Sequence, residues 1–189
     1  DPVLAAGALT YGTLSLGNGA VLTVSGGTSA FGTVTIAAAT ATIDVATGIT
    51  LTTAGIVVAG NALTLASAGD GGTIANSAAL TMTGGASLIV SGSLTLSGDI
   101  GITGNNNFNI ANAKVFTYGG AVISALATSV DFITGAGTFD APAGITFTTG
   151  KLIASTGDPT INAPVTWSGN GSIEIGDGNT ITTDDTFSF

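Results

Sequence analysis

Two apolar residues flanking one polar residue, usually Thr or Ser, recur along nearly the whole chain. The triplet occurs as Leu14-Ser15-Leu16, Leu22-Thr23-Val24, Val34-Thr35-Ile36, Ile49-Thr50-Leu51, Leu63-Thr64-Leu65, Leu80-Thr81-Met82 and Leu94-Thr95-Leu96. It returns at Ile145-Thr146-Phe147, Val165-Thr166-Trp167, Ile173-Glu174-Ile175 and Phe187-Ser188-Phe189. An alternation of period two is the mark of a short strand with one face buried. Between Ile43 and Ile100 the triplets start at 43, 49, 56, 63, 74, 80, 88, 94 and 100. Most steps are six to eight residues, so three steps make a rung of roughly 18–24 residues, a period typical of stacked repeats. The pattern predicts an all-β, single-stranded parallel β-solenoid (β-helix) with about three short strands per rung and roughly nine rungs. Successive parallel strands lie about 4.8 Å apart, which makes the rod roughly 40 Å long.

No segment sustains apolar residues three and four apart, so no helix is predicted. Glycine, 30 of the 189 residues, falls between the triplets, where tight corners require positive φ. Corners are expected at Gly17-Asn18-Gly19, Gly26-Gly27, Gly71-Gly72, Gly84-Gly85, Gly135-Ala136-Gly137 and Gly169-Asn170-Gly171. The whole of 1–189 reads as one solenoid domain. It is less regular from about 105 to 132, where Asn105-Asn106-Asn107 and Tyr118-Gly119-Gly120 interrupt the rhythm.

Apolar residues make up 44% of the chain and aromatics only 6%, so the core is a thin stack of small and β-branched side chains. Charged residues are just 7%: Lys114 and Lys151 against ten Asp and one Glu, for a net charge of −9. Two cations cannot neutralise a phosphate backbone, which excludes nucleic-acid binding and electrostatic docking on anionic membranes. No apolar run approaches the roughly 18 residues of a membrane span. The chain opens Asp1-Pro2-Val3 with no basic-then-apolar leader. Cysteine is absent, which suits an exposed protein held together without disulfides.

With no His, Cys or Arg, serine triads, cysteine nucleophiles and histidine metal sites are excluded. Carboxylate chemistry alone remains, and its densest patch is Glu174, Asp177, Asp184 and Asp185. Asp in glycine-rich turns is the simpler account of that patch, so no enzyme activity and no catalytic residue are expected. Gly69-Asp70-Gly71-Gly72-Thr73-Ile74 and Gly176-Asp177-Gly178-Asn179-Thr180-Ile181 resemble each other and, superficially, calcium-binding nonapeptides. Those repeats run in tandem with several Asp per site, so no metal or cofactor is expected.

Thr-x-Thr pairs at Thr33/Thr35, Thr40/Thr42, Thr50/Thr52, Thr81/Thr83, Thr146/Thr148 and Thr180/Thr182 raise the idea of an ice-binding grid. They do not recur once per rung, so these threonines read as ordinary β-branched strand surface. Asn105, Asn106, Asn107 and Asn109 are candidates for a stacked amide ladder or for a simple loop. Trp167, Tyr11 and Tyr118 are candidates for stacking on sugars, with core packing the favoured reading of Trp167. Asn170-Gly171-Ser172 is a glycosylation sequon of low specificity.

Ser93-Leu94-Thr95-Leu96-Ser97-Gly98-Asp99-Ile100 and Ala20-Val21-Leu22-Thr23-Val24-Ser25-Gly26-Gly27-Thr28 resemble the passenger repeats of bacterial autotransporters and filamentous-haemagglutinin-like exoproteins. The resemblance implies a long β-helix displayed at the cell surface as an adhesin or stalk.

A solenoid rung exposes unpaired backbone groups and an open core unless something covers it. The last residues, Ile181 to Phe189, keep the strand pattern, and the first ten are uncharged after Asp1. The expected function is therefore a secreted structural subunit that self-assembles head-to-tail into an extracellular filament or surface fibre. Phe187 and Phe189 at one end would close the core against Leu4 and Leu9 of the next copy. The expected partner is the chain itself, at the cell surface or outside the cell. The alternative is an adhesin or stalk fragment that binds host or carbohydrate ligands.

Overall fold

In a computed structural model of the chain, described for residues 3–4, 8–104, 106–120, 123–125, 131–133, 135–147, 150–154 and 156–188, the triplets are strands. None of the described residues is helical. The strands wind into a rod with three faces. On the first face Val3–Leu4, Ala20–Val24, Thr40–Val45, Ala62–Ala66, Ser87–Val90, Asn107–Ile110, Asp131–Ile133, Gly150–Ala154 and Gly171–Ile175 stack in order, nine strands deep.

The second face carries Ala8–Tyr11, then the first parts of two long strands, Thr28–Ile36 and Thr50–Ala59. Gly72–Asn76, Leu94–Leu96, Val115–Tyr118, Thr138–Asp140, Thr160–Asn162 and Thr182–Thr183 follow. The third face starts at Leu14–Leu16, takes the later parts of the same two long strands, and continues through Leu80–Thr83, Ile100–Thr103 and Ile123–Ala125. It is completed by a separate ladder of Ile145–Phe147, Val165–Trp167 and Phe187–Ser188. The chain visits the faces in the same order on every circuit, so each rung has three strand segments, the last two fused into one strand in Thr28–Ile36 and in Thr50–Ala59.

Every pairing among these strands is parallel and in register. Val3 pairs with Thr23, a circuit of 20 residues, while Ala62 pairs with Ser87, a circuit of 25. The longer circuit carries the extra corner at 67–71, where Gly69, Asp70 and Gly71 all have positive φ. Asp takes that conformation more readily than most residues, which explains an Asp between two glycines here.

The registers place like residues above one another inside the rod. Leu22, Ile43, Leu65, Val90 and Ile110 form one fully buried column on the first face. Each such side chain contributes roughly 1.5–3 kcal/mol by leaving water, and only the rungs above and below make that possible. Farther along, the small residues give way to a cluster of rings. Phe108 meets Phe116 edge-on at 5.3 Å, and Phe139 lies 5.9 Å from Phe108, 5.7 Å from Phe116 and 6.1 Å from Tyr118. Asn107–Ile110 and Val115–Tyr118 supply three of these rings as core strands, each paired in register with the rung before it.

Buried polar groups fasten the corners. The Thr53 hydroxyl donates to the Gly32 carbonyl of the preceding rung at 2.8 Å and accepts the Gly55 N–H at 3.2 Å. It thereby shapes the bend that divides Thr50–Ala59 between two faces. Asn106 accepts the Ala86 N–H at 2.8 Å and donates to the carbonyls of Thr103 and Gly104 at 3.0 and 2.9 Å. Its amide stitches one corner to the rung below and is not part of a stacked ladder; Asn105 lies outside the described residues.

Candidate assembly site

The two tips of the rod are built by the same alternation as its middle, but each has a neighbour on one side only. Among the described residues Val3–Leu4 pairs only with Ala20–Val24, and Gly171–Ile175 pairs only with Gly150–Ala154. Among the described residues no further strand pairs with the outer edge of either.

Comparison along the columns shows what the outer rung lacks. Ile173 stands above Leu152, Ile175 above Ala154, and Phe187 above Val165. The lower members, Leu152, Ala154 and Val165, are buried. Ile175, in the same inward column, is 50% exposed, and Ile173 and Phe187 are only partly covered. Phe187 packs edge-on against Trp167 at 6.1 Å, and Trp167 stacks on Phe147 at 5.4 Å. Rings thus touch across three levels of the third face, Phe187 reaching Trp167 diagonally from its place above Val165.

The residues expected at the assembly ends are placed as follows. Leu4 lies in Val3–Leu4, beside Val24, and Leu9 lies in Ala8–Tyr11, beside Ser29. Both therefore belong to the outermost rung of one tip. Phe187 belongs to the outermost rung of the other, and Phe189 lies outside the described residues.

The acidic residues serve the corners. Asp44 accepts the Ala68 N–H at 2.9 Å, Asp70 the Ser93 N–H at 2.7 Å and Asp158 the Thr180 N–H at 2.8 Å. Each bond joins one rung to the next, 22 to 24 residues ahead, from a corner at Asp70 and Asp158 and from a strand end at Asp44. At Asp70 the clip extends over three rungs, because Lys114 reaches the same carboxylate at 3.1 Å. The Ser93 N–H, and after it the Lys114 ammonium, hold the Asp70 carboxyl below the usual carboxylate range. Glu174 is paired with Lys151 at 2.9 Å on the outside of the rod. Among the described residues no group of three or more Asp or Glu side chains could hold a metal ion.

Two of the three aromatics considered for sugar stacking are interior. Trp167 and Tyr118 are buried, and the Tyr118 hydroxyl accepts the Ile100 N–H at 3.2 Å. Inward alternation placed them there, since each occupies an apolar position of its strand. Tyr11 is 44% exposed and lies stacked on Phe31 at 5.1 Å. Asn170, of the glycosylation sequon, is exposed in the bend before Gly171–Ile175. No described helix is long and apolar enough to cross a membrane.

Sequence reasoning missed the Asp clips, although their signal is present: an Asp at a corner or strand end and a small residue about one rung later. It also missed the inter-rung register of the threonines, treated below. Comparison with protein-family models, with curated proteins and with solved structures finds no match.

Proposed function

We propose that this chain is a secreted structural subunit whose rod extends end to end, copy upon copy, into an extracellular filament or surface fibre. The observation that carries this reading is the outer rung 171–188, where Ile173, Ile175 and Phe187 are left partly in water above fully buried counterparts. An arriving rung would cover those side chains and satisfy the backbone edge by the same parallel pairing used inside the rod. Each apolar side chain so covered is worth roughly 1.5–3 kcal/mol at most, so a whole face of the rung supplies a useful affinity. With only two cationic residues in the chain, such a fibre offers trypsin-like proteases few sites, which suits an external setting.

Sedimentation velocity at rising protein concentration tests the proposal. The native chain is expected to grow into longer species, and Ile175→Lys together with Phe187→Lys is expected to hold it at the monomer. A native chain that remains monomeric at high concentration removes the proposal. So does a double variant that assembles as well as the native protein.

The second reading, an adhesin or stalk segment, draws on Tyr11, whose exposed ring is braced by Phe31 and offers a surface for a sugar. Glycan-array binding abolished by Tyr11→Ala would favour it over the filament.

A further inference from the structure

The pairing registers assemble a row of threonines that no Thr-x-Thr spacing reveals. On the second face Thr50 is paired with Thr73, Thr73 with Thr95, and Thr95 with Thr117. Thr28 precedes Ser29, the partner of Leu51, and so stands beside Thr50. Five consecutive rungs therefore carry Thr at one position. Their strand neighbours Ser29, Leu51, Ile74, Leu94, Leu96, Phe116 and Tyr118 are buried, so the alternation turns all five threonines outward.

Two residues farther along the same strands runs a second outward row. Ala30 pairs with Thr52 and Thr52 with Ala75, and the same register continues to Ser97 and Gly119. These residues are all small, so the Thr row stands on a flat, low surface. The row ends at Asp140, the partner of Thr117 on the next strand, and the corner before these strands carries Asp70 and Lys114, which neutralise each other at 3.1 Å.

We propose that this face binds ice. The rows repeat at about 4.8 Å along the rod and are separated by roughly 6.7 Å, two strand residues, across it. Both distances lie close to oxygen repeats of hexagonal ice along its a and c axes. A threonine presents a hydroxyl that enters a water lattice and a methyl that excludes competing water positions. Its β-branched side chain has few rotamers, so five of them in register form a stiff template. Charged or long side chains would hold hydration shells out of register, and the two rows contain none. A crystalline polysaccharide is the other extended lattice such a face could meet. Sugar faces are gripped by exposed rings, however, and the rings on the five strands of the row, Phe31, Phe116 and Tyr118, are buried; the exposed Tyr11 lies one strand outside it.

The test is ice-affinity partitioning of the fluorescently labelled chain into a slowly grown ice hemisphere, beside a non-binding control protein. The native chain is expected to concentrate in the ice. Thr73→Tyr with Thr95→Tyr, in the middle of the row, is expected to fall to the control level. Thr64→Tyr, outward on the first face, should leave uptake unchanged. Thr73→Val, which keeps the branched shape, provides a second readout and should lower uptake, with folding of each variant checked by circular dichroism. Exclusion of the native chain from ice overturns the proposal, as does equal uptake by the native chain and the folded row variants. Binding to crystalline cellulose with the same dependence on Thr73 and Thr95, without ice uptake, also overturns it.

Discussion

Replacing Phe139 by Ala tests whether the rod's wider half is held by rings shared between rungs. Phe139 is fully buried and touches Phe108, Phe116 and Tyr118 from the rung below. A buried Phe hides about 200 Å². At about 25 cal/mol per Å² its removal forfeits several kcal/mol, and a cavity that cannot collapse keeps the cost of Phe→Ala at roughly 3–5 kcal/mol. In a chain of this length each kcal/mol moves the melting point by about 2–4 °C, so a fall of roughly 6–20 °C is expected if the rod melts as one unit.

Stacked repeats are coupled mainly to their nearest neighbours, so the damage should also be local. Hydrogen exchange followed by mass spectrometry should show protection lost first around 107–118 and 138–162 and retained around 40–66. Phe187→Ala should cost clearly less, because Phe187 has a neighbouring rung on one side only. The reasoning is refuted if Phe139→Ala melts within about 1 °C of the native protein, well under the expected shift. It is refuted equally if protection is lost uniformly along the rod.

Two further perturbations address the corners. A Cβ on Gly98 would sit 2.3 Å from both the side chain and the carbonyl oxygen of Asn76, so Gly98→Ala should destabilise by about 1–3 kcal/mol in urea unfolding. Gly17→Ala, where a Cβ meets nothing within 4 Å, should be nearly neutral. The Asp70 carboxyl is held below the usual range, so the folded state binds its proton later than the unfolded chain does. Its contribution is therefore complete above the unfolded carboxylate range and disappears as pH falls through the lower folded value. Melting curves taken from neutral pH down into strong acid should show a steeper acid loss for the native chain than for Asp70→Asn, and parallel curves would refute the clip.

The strands and the order of the faces are visible in the sequence because alternation is a local signal. Leu63-Thr64-Leu65, Leu80-Thr81-Met82 and Leu94-Thr95-Leu96 each declare an inward pair without knowledge of any partner. Stacking then follows, because no single rung can bury both sides of such a pair. The fate of Trp167 and Tyr118 follows from the same alternation, yet their polar groups made surface roles plausible until burial placed them.

Register is another matter. Thr50, Thr73, Thr95 and Thr117 are separated by 23, 22 and 22 residues, and only the corner lengths, set by glycines and Asp70, decide that these are one circuit apart. A corner one residue longer would turn the row to the core. The Asp clips were hidden for the same reason: Asp44 and Ala68 look unrelated until a circuit is closed between them. The exposure of Ile175 likewise follows from its place in the outermost described rung and not from its own strand pattern.

Electron microscopy of the concentrated chain, with fibre diffraction from the same preparation, tests the proposed assembly most directly. Nine levels spaced by about 4.8 Å predict narrow filaments with an axial subunit repeat of roughly 43 Å and a strong reflection at the strand spacing along the filament axis. Dispersed rods of about that length, at every concentration and with no axial repeat, would contradict end-to-end growth.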